Sequence, residues 1–331
     1  MTKHDMTPPL LPTKEHLHIL FAHGAYDMKP LFDGRGSGIT TAQVSTYADL
    51  EAALPEADIL VVSGLWKNDL LPRATRLKYL QSVSSGTNQY DTAAFAARGI
   101  RLASGQGVNK NAVSEHAIGL LLSLTRRLAL ARDNQALTHW RKEQTDPMAR
   151  EDELPGKTMV IVGTGGIGER IAKLARAFDM RVIGIRRDPT KGKGAADEVY
   201  SFHDLKSVLP QADVVVLSCP LTDETRNLMG AEAIACLKPS ACFINVARGG
   251  CVDETALIEA LQAGRIAGAG LDVTAIEPLP ADSPLWSMPN VVLTPHAAGE
   301  TRRYELNVLT ILEANLARLW AGETSLVNGI V

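Results

Sequence analysis

The chain of 331 residues has no apolar run that could cross a membrane: AIGLLL, at Ala117–Leu122, falls far short of the ~18 residues a spanning helix needs. Its start, MTKHDMTPPLLP, lacks an apolar core and a cleavage pattern, so a loose tail is expected rather than a signal peptide. Cysteine is scarce. The four present, Cys219, Cys236, Cys242 and Cys251, have no CxxC or zinc-type spacing and read as reduced, small apolar residues of a cytoplasmic protein. The eight histidines form neither HExxH nor a dense cluster, so no metal site is expected. An excess of one charge sign is missing too: 34 Lys and Arg face 37 Asp and Glu, with no block of either. That balance argues against a nucleic-acid or anionic-membrane surface.

What the chain does have is alternation. From Leu17 to Gly105, LHILFA, ADILVVS, LKYLQSVS and IRLAS read as strands, with STYADLEAALP and DTAAFAARG as helices between them. From Leu154 a second series follows, in which TMVIVG, MRVIGI, ADVVVLSCP, ACFINVA, GAGLDV and NVVLTPH read as strands. Strands alternating with helices build parallel sheets covered on both faces, so the expected class is α/β, with two Rossmann-like or flavodoxin-like domains. Asn111 to Trp140 reads as one helix, about 45 Å long if unbroken. It is too long and too apolar, through Leu120, Leu121, Leu124 and Leu128, for one small domain to cover, so a subunit interface is expected there. Glu300 to Ala321 is helical and should return to the first domain. The expected division is therefore 1–106 with 300–331 for substrate, and 107–299 for a dinucleotide.

The loop Gly163-Thr164-Gly165-Gly166-Ile167-Gly168 lies between the strand TMVIV and the amphipathic stretch GERIAKLARAFD. In that setting GxGxxG is a dinucleotide motif. Gly163 allows the tight turn, Gly165 lets the backbone approach a pyrophosphate, and Gly168 lets the helix pack on the strand. The free N–H groups near Gly166 and Ile167 face the phosphates at the positive end of the helix. Arg186 lies 18 residues beyond Gly168, at the tip of the next strand, and Arg187 follows it. An acid there would accept from a ribose 2′-hydroxyl; an arginine fork suits a 2′-phosphate instead. Asp188 competes, but precedes Pro189 and should point away. The pair therefore reads as a preference for NADP(H), with NAD(H) possible.

Three polar residues follow apolar strands, where open α/β sheets place ligands: Arg248, Glu277 and His296. With GTGGIG, SCPLTDETRNLM, NVARGGCVDETAL, GLDVTAIEPLP and TPHAAG, they make the chain closely similar to the D-isomer-specific 2-hydroxyacid dehydrogenase family, over essentially Leu17–Trp320. The resemblance implies a substrate domain and a cofactor domain separated by a cleft, a homodimer, and a small 2-oxo or 2-hydroxy acid as substrate. It implies that Arg248 holds the substrate's carboxylate and carbonyl oxygen, that His296 moves the proton, and that Glu277 favours the protonated imidazole and orients it. It further implies Asp272 on the nicotinamide carboxamide, Cys219 and Pro220 along the adenosine ribose, and Thr225 with the Val246–Ala247 backbone as the rest of the cofactor wall. Ser85 and Gly86, in SSGTNQYD, would offer N–H groups to the substrate carboxylate. Asn88 stands where many members have Asp and is given no role.

Within that family the arginine pair favours an NADP-preferring glyoxylate or hydroxypyruvate reductase-like member. A bulkier substrate with NAD is the alternative, and a nucleotide-sensing corepressor-like protein a second. Formate dehydrogenases share the fold but resemble a pattern with Gln at the position of Glu277. A phosphoglycerate dehydrogenase is disfavoured, because Ser63 stands where a phosphate-binding Arg is expected and no regulatory domain follows Val331. In the loop SGLWKND, Leu65 and Trp66 suggest an apolar wall for the substrate's variable group, with packing of Trp66 into the domain core as the competing reading.

Overall fold

A computed structural model describes residues 10–331, apart from the side chain of Met148. Residues 1–9 of the expected tail lie outside that range. The chain forms two compact units, Met1–Asn109 with Thr301–Val331, and Lys110–Glu300.

In the first unit, β1 (His18–Ala22), β2 (Thr40–Val44), β3 (Ile59–Val62), β4 (Tyr79–Ser82) and β5 (Arg101–Ala103) form a parallel sheet in the order β2-β1-β3-β4-β5. This is the flavodoxin-like order. Alternate residues serve opposite faces: Ile19 and Phe21 join one buried cluster, Leu20 and Ala22 the other. Both faces of the inner strands β1 and β3 are dry, which is why those two are apolar without alternation. Helices α1 (Lys29–Asp33), α2 (Tyr47–Ala53) and α3 (Thr92–Ala97) lie between the strands. Asp91 caps α3 by accepting from the Ala94 N–H at 3.0 Å. The described end of the MTKHDMTPPLLP stretch is held in place. Leu11 is buried in this unit's core, and the Pro12 carbonyl accepts from the Trp320 indole at 2.9 Å.

In the second unit, β6 (Thr158–Val162), β7 (Arg181–Ile185), β8 (Glu198–Tyr200), β9 (Val214–Leu217), β10 (Cys242–Asn245), β11 (Gly268–Leu271) and β12 (Val291–Leu293) form one parallel sheet, ordered β12-β11-β10-β9-β6-β7-β8. The strand order reverses between β6 and β9, the Rossmann switch point. Helices α4 (Lys110–Thr125), α5 (Leu128–Ala136), α6 (Gly166–Ala177), α7 (Leu205–Val208), α8 (Ala231–Ala235) and α9 (Glu254–Gln262) complete the unit.

The single helix expected over Asn111–Trp140 is corrected to two. Arg127 takes a left-handed conformation (φ 51°), and the Thr125 carbonyl turns to accept from the Asp152 N–H at 2.9 Å. Leu120 and Leu121 are buried by the unit itself, where α4 lies on β10, β11 and β12. Gly270 makes this close approach possible, since a Cβ there would stand 2.8 Å from Leu120 Cβ. Within Asn111–Trp140, only α5 and the stretch after it leave leucines exposed.

The last helix, α10 (Tyr304–Trp320), packs in the first unit through Val308, Leu309, Leu312, Leu316 and Leu319. It carries Asn315, fully buried among polar partners. The Asn315 amide donates to Tyr79 Oη (2.8 Å) and the Val327 carbonyl (3.1 Å), and its oxygen accepts from the Val327 N–H (2.7 Å). The Tyr79 hydroxyl donates to Gln81, whose amide donates to the carbonyls of Ser82 and Ser104. Burial pushes the Tyr79 phenol well above its ordinary range, so it stays a neutral donor. Among the described residues no helix is long and apolar enough to cross a membrane, and no cluster of His, Cys, Asp or Glu could hold a metal. Asn315→Leu leaves the part-buried Val327 backbone and the buried Tyr79 hydroxyl without this partner. It should cost about 2–4 kcal/mol, as one to two buried groups lose their partners; denaturant unfolding monitored on the first unit measures this.

Candidate active site

The glycine loop follows β6, and Ser218-Cys219 follows β9, so both sit at the switch point. Backbone crowding explains the glycines. A Cβ on Gly163 (φ 96°) would lie 2.6 Å from the Cys219 backbone, and one on Gly168 would lie 2.0 Å from the Gly163 carbonyl oxygen. Gly165 is different: its Cβ position has no atom within 4 Å, so its space is open to a ligand. The first helical bond of α6 runs from the Glu169 N–H to the Gly165 carbonyl (2.8 Å), leaving the N–H groups of Gly166, Ile167 and Gly168 turned outward. Among the described residues, Thr164 Oγ1 is buried without a hydrogen-bond partner. Open space, free N–H groups and an orphaned hydroxyl fit a pyrophosphate.

Beyond β7, the half-buried Arg186 donates to the Gly192 carbonyl (3.2 Å) and Arg187 pairs with Glu224 (2.5 Å) on the exposed surface. Asp188 is occupied, because its carboxylate accepts from the Thr190 N–H (3.0 Å) and hydroxyl (2.6 Å). The acid is thus spent on its own turn and the arginines remain at the surface. The Cys219 thiol, hydrogen-bonded to Cys251 and buried, is pushed far above the ordinary thiol range and stays protonated. All four cysteines are free. Thr225 is buried, and its hydroxyl closes the turn after Pro220 by donating to that carbonyl at 2.6 Å. Val246 and Ala247 are buried behind β10.

Asp272, just past β11, is buried at 3% exposure. Its carboxylate accepts from Thr294 Oγ1 (2.7 Å) and from the N–H groups of Ala297 (2.9 Å) and Ala298 (3.1 Å), while its carbonyl accepts from the His296 N–H (2.8 Å). These bonds hold His296 in a left-handed conformation, φ 54°. His296 Nδ1 and Glu277 Oε2 are 2.7 Å apart, and Glu277 Oε1 accepts from the Thr274 N–H at 3.1 Å. A carboxylate can only accept, so Nδ1 carries the proton and Nε2 is the free ring atom. Arg248 follows β10, next to β11. Asn245 builds its turn, accepting from the Ala247 N–H (3.0 Å) and donating to the Arg248 carbonyl (3.2 Å).

The structure therefore joins Glu277 directly to His296 and brings Asp272 in behind them. Sequence reasoning missed Asn245, Gly249, Thr294 and His116. Asn245 had a signal, as a polar residue ending an apolar strand; the others act through contacts distant in sequence. In the first unit, Ser85 and Gly86 are exposed, and among the described residues neither N–H has an acceptor. Of the two readings of Trp66, packing into the domain core is the one seen. Trp66 is buried against Tyr90 and Phe95, with its indole N–H on Asn68 (3.1 Å), and Leu65 packs on the same cluster.

Gly249 fixes Arg248 relative to the Glu277 loop, since a Cβ there would stand 2.0 Å from the Thr274 carbonyl oxygen. Gly249→Ala must push the two strand ends apart. A displacement near 1 Å costs about 100-fold in turnover, so we expect that loss with dinucleotide affinity retained, read from steady-state rates beside a fluorescence titration.

The family model described as D-isomer specific 2-hydroxyacid dehydrogenase, NAD binding domain, matches residues 118–298. A glyoxylate reductase from Aeropyrum pernix is 35% identical over 297 residues, which are 86% of this chain and 87% of that protein. A D-3-phosphoglycerate dehydrogenase from Methanocaldococcus jannaschii is 34% identical over 282 residues, or 84% of this chain and 52% of the relative, so the chain spans about half of that protein's length. A solved structure of a D-isomer specific 2-hydroxyacid dehydrogenase family protein from Aeromonas salmonicida matches with a TM-score of 0.80 at 32% identity, over 96% of this chain and 99% of that one. With likenesses of this extent, the chain belongs to the D-isomer specific 2-hydroxyacid dehydrogenase family.

Proposed function

We propose that the protein reduces a small or medium 2-oxo acid, of the glyoxylate or hydroxypyruvate kind, to its D-2-hydroxy acid, reversibly and with NADPH preferred. The observation that carries this reading is the 2.7 Å pair of His296 Nδ1 and Glu277, in the unit that also holds the dinucleotide loop. When bound, the nicotinamide supplies the hydride. The loop Gly163–Gly168 would hold its phosphates. Arg248 would take the substrate carboxylate and stabilise charge on the carbonyl oxygen as it develops. His296 protonates that oxygen from Nε2 while Glu277, accepting from Nδ1, fixes the ring plane. In the oxidative direction the same nitrogen accepts the proton. The A. pernix relative, matched over most of both chains, supports glyoxylate as a substrate. A panel of 2-oxo acids, each with NADPH and NADH, tests the assignment. The product should be the D acid, and an L product would sink it.

Arg186 and Arg187 support the cofactor preference, with Glu224 neutralising Arg187 until a phosphate displaces it. Replacing both arginines by Ala should weaken NADPH by about 2–4 kcal/mol, taking ~1.5–3 for each charged hydrogen-bonding group without full additivity. NADH should be little affected. Wild-type protein preferring NADH in kcat/KM would refute this.

The homodimer is proposed on a narrower basis than the long helix. Leu128, Leu137 and Trp140 are 51%, 76% and 96% exposed. Trp140 lines an open groove that includes Ala131 and His139, and exposed apolar side chains on such a stretch are of the kind that marks an interface. Light scattering at micromolar concentration should read a dimer; a stable monomer would remove it.

A further inference from the structure

His116 lies on α4, outside every motif discussed above, and its side chain is about three-quarters buried. Its Nε2 is 2.8 Å from Thr294 Oγ1 and 3.7 Å from Asp272 Oδ1. A threonine hydroxyl has one proton to give. Thr294 gives it to Asp272 Oδ1 at 2.7 Å, because a carboxylate only accepts. Toward His116 the hydroxyl must therefore accept, so His116 carries its proton on Nε2. A directed chain results, from imidazole to hydroxyl to carboxylate. Among the described residues, His116 is also the one side chain able to bear positive charge within ion-pair distance of Asp272.

The acceptors on Asp272 are used unevenly. Among the described residues, Oδ1 takes Thr294, Ala297 and Ala298, while Oδ2 has only a share of the Ala298 N–H at 3.1 Å. Removing the orienting donor would let the Thr294 hydroxyl rotate and the carboxylate turn about its Cβ–Cγ bond. The turn Ala297–Ala298, which sets the backbone of His296, hangs from Oδ1. We propose that His116 is a positioning residue, which locks Thr294 onto Asp272 and thereby holds the loop that presents His296. The role in turnover rests on the functional reading above; the hydrogen-bond direction does not.

The experiment uses His116→Leu, His116→Gln, Thr294→Val and the Leu/Val double variant of the full chain, with glyoxylate or hydroxypyruvate and NADPH. Turnover in His116→Leu should fall roughly 10- to 100-fold, with an unchanged melting temperature. KM for the oxo acid should stay within about twofold, the mark of a group felt mainly in the transition state. Thr294→Val should show the same defect, and the double variant should be no worse than either, since both break one chain. His116→Gln, which can still donate from Nε2, should recover most of the turnover. In spectra of isotope-labelled histidine, the His116 Nε2 should be protonated and slow to exchange, and Thr294→Val should abolish that protection. Wild-type turnover in His116→Leu, or single losses that multiply in the double variant, would overturn the proposal. If the wild type reduces no 2-oxo acid, the functional reading fails instead, and the histidine spectrum still decides whether His116 donates to Thr294.

Discussion

A carboxylate taken out of water must have its charge met by the chain around it, and Asp272 gathers two loops to do so. Its oxygens draw in the N–H groups of Ala297 and Ala298 from beyond β12, and its carbonyl takes the His296 N–H. The left-handed backbone of His296 is strained by about 1–3 kcal/mol for a residue that is not glycine, and such strain persists only where surrounding bonds over-determine it. Four bonds to one residue do that. The result is an imidazole whose Nδ1 meets Glu277 and whose Nε2 is left for chemistry.

Because every strand of the second sheet is parallel, all the carboxyl ends open on one edge. The glycine loop leaves β6 and Asp272 leaves β11, with β9 and β10 between. Three strand spacings of ~4.8 Å put them about 14 Å apart along that edge. A dinucleotide laid from the loop toward β11 would run along one straight row of backbone ends. Close packing keeps the row intact: Gly163 against Cys219, Gly249 against Thr274, Gly270 against Leu120. Each glycine stands where a methyl group would force two backbones or a strand and a helix apart.

Much of this was readable in the residues because it depends on local chemistry. Strands buried on both faces must be apolar, and a pyrophosphate turn must be glycine. What stayed hidden has different causes. Thr40–Val44 and Glu198–Tyr200 are edge strands, half-exposed, and TTAQV carries no apolar signal. The break between α4 and α5 falls on Thr125-Arg126-Arg127, where no Gly or Pro marks it; a tertiary bond from Asp152 ends the helix. Trp66 sits beside a loop in the sequence but finds Tyr90 and Phe95 in the fold, and burial of its ring outweighs exposure. His116 and Thr294 are 178 residues apart, a separation no motif spans.

The proposed function rests on His296 as the proton donor and acceptor of a dinucleotide-dependent reaction. Measuring NADPH affinity and 2-oxo acid turnover side by side in His296→Ala tests it most directly. The expected result is unaltered NADPH binding with kcat lowered about 10²–10⁴-fold, the span for a positioned acid–base. Near-normal turnover with NADPH bound as tightly as in the wild type would contradict it.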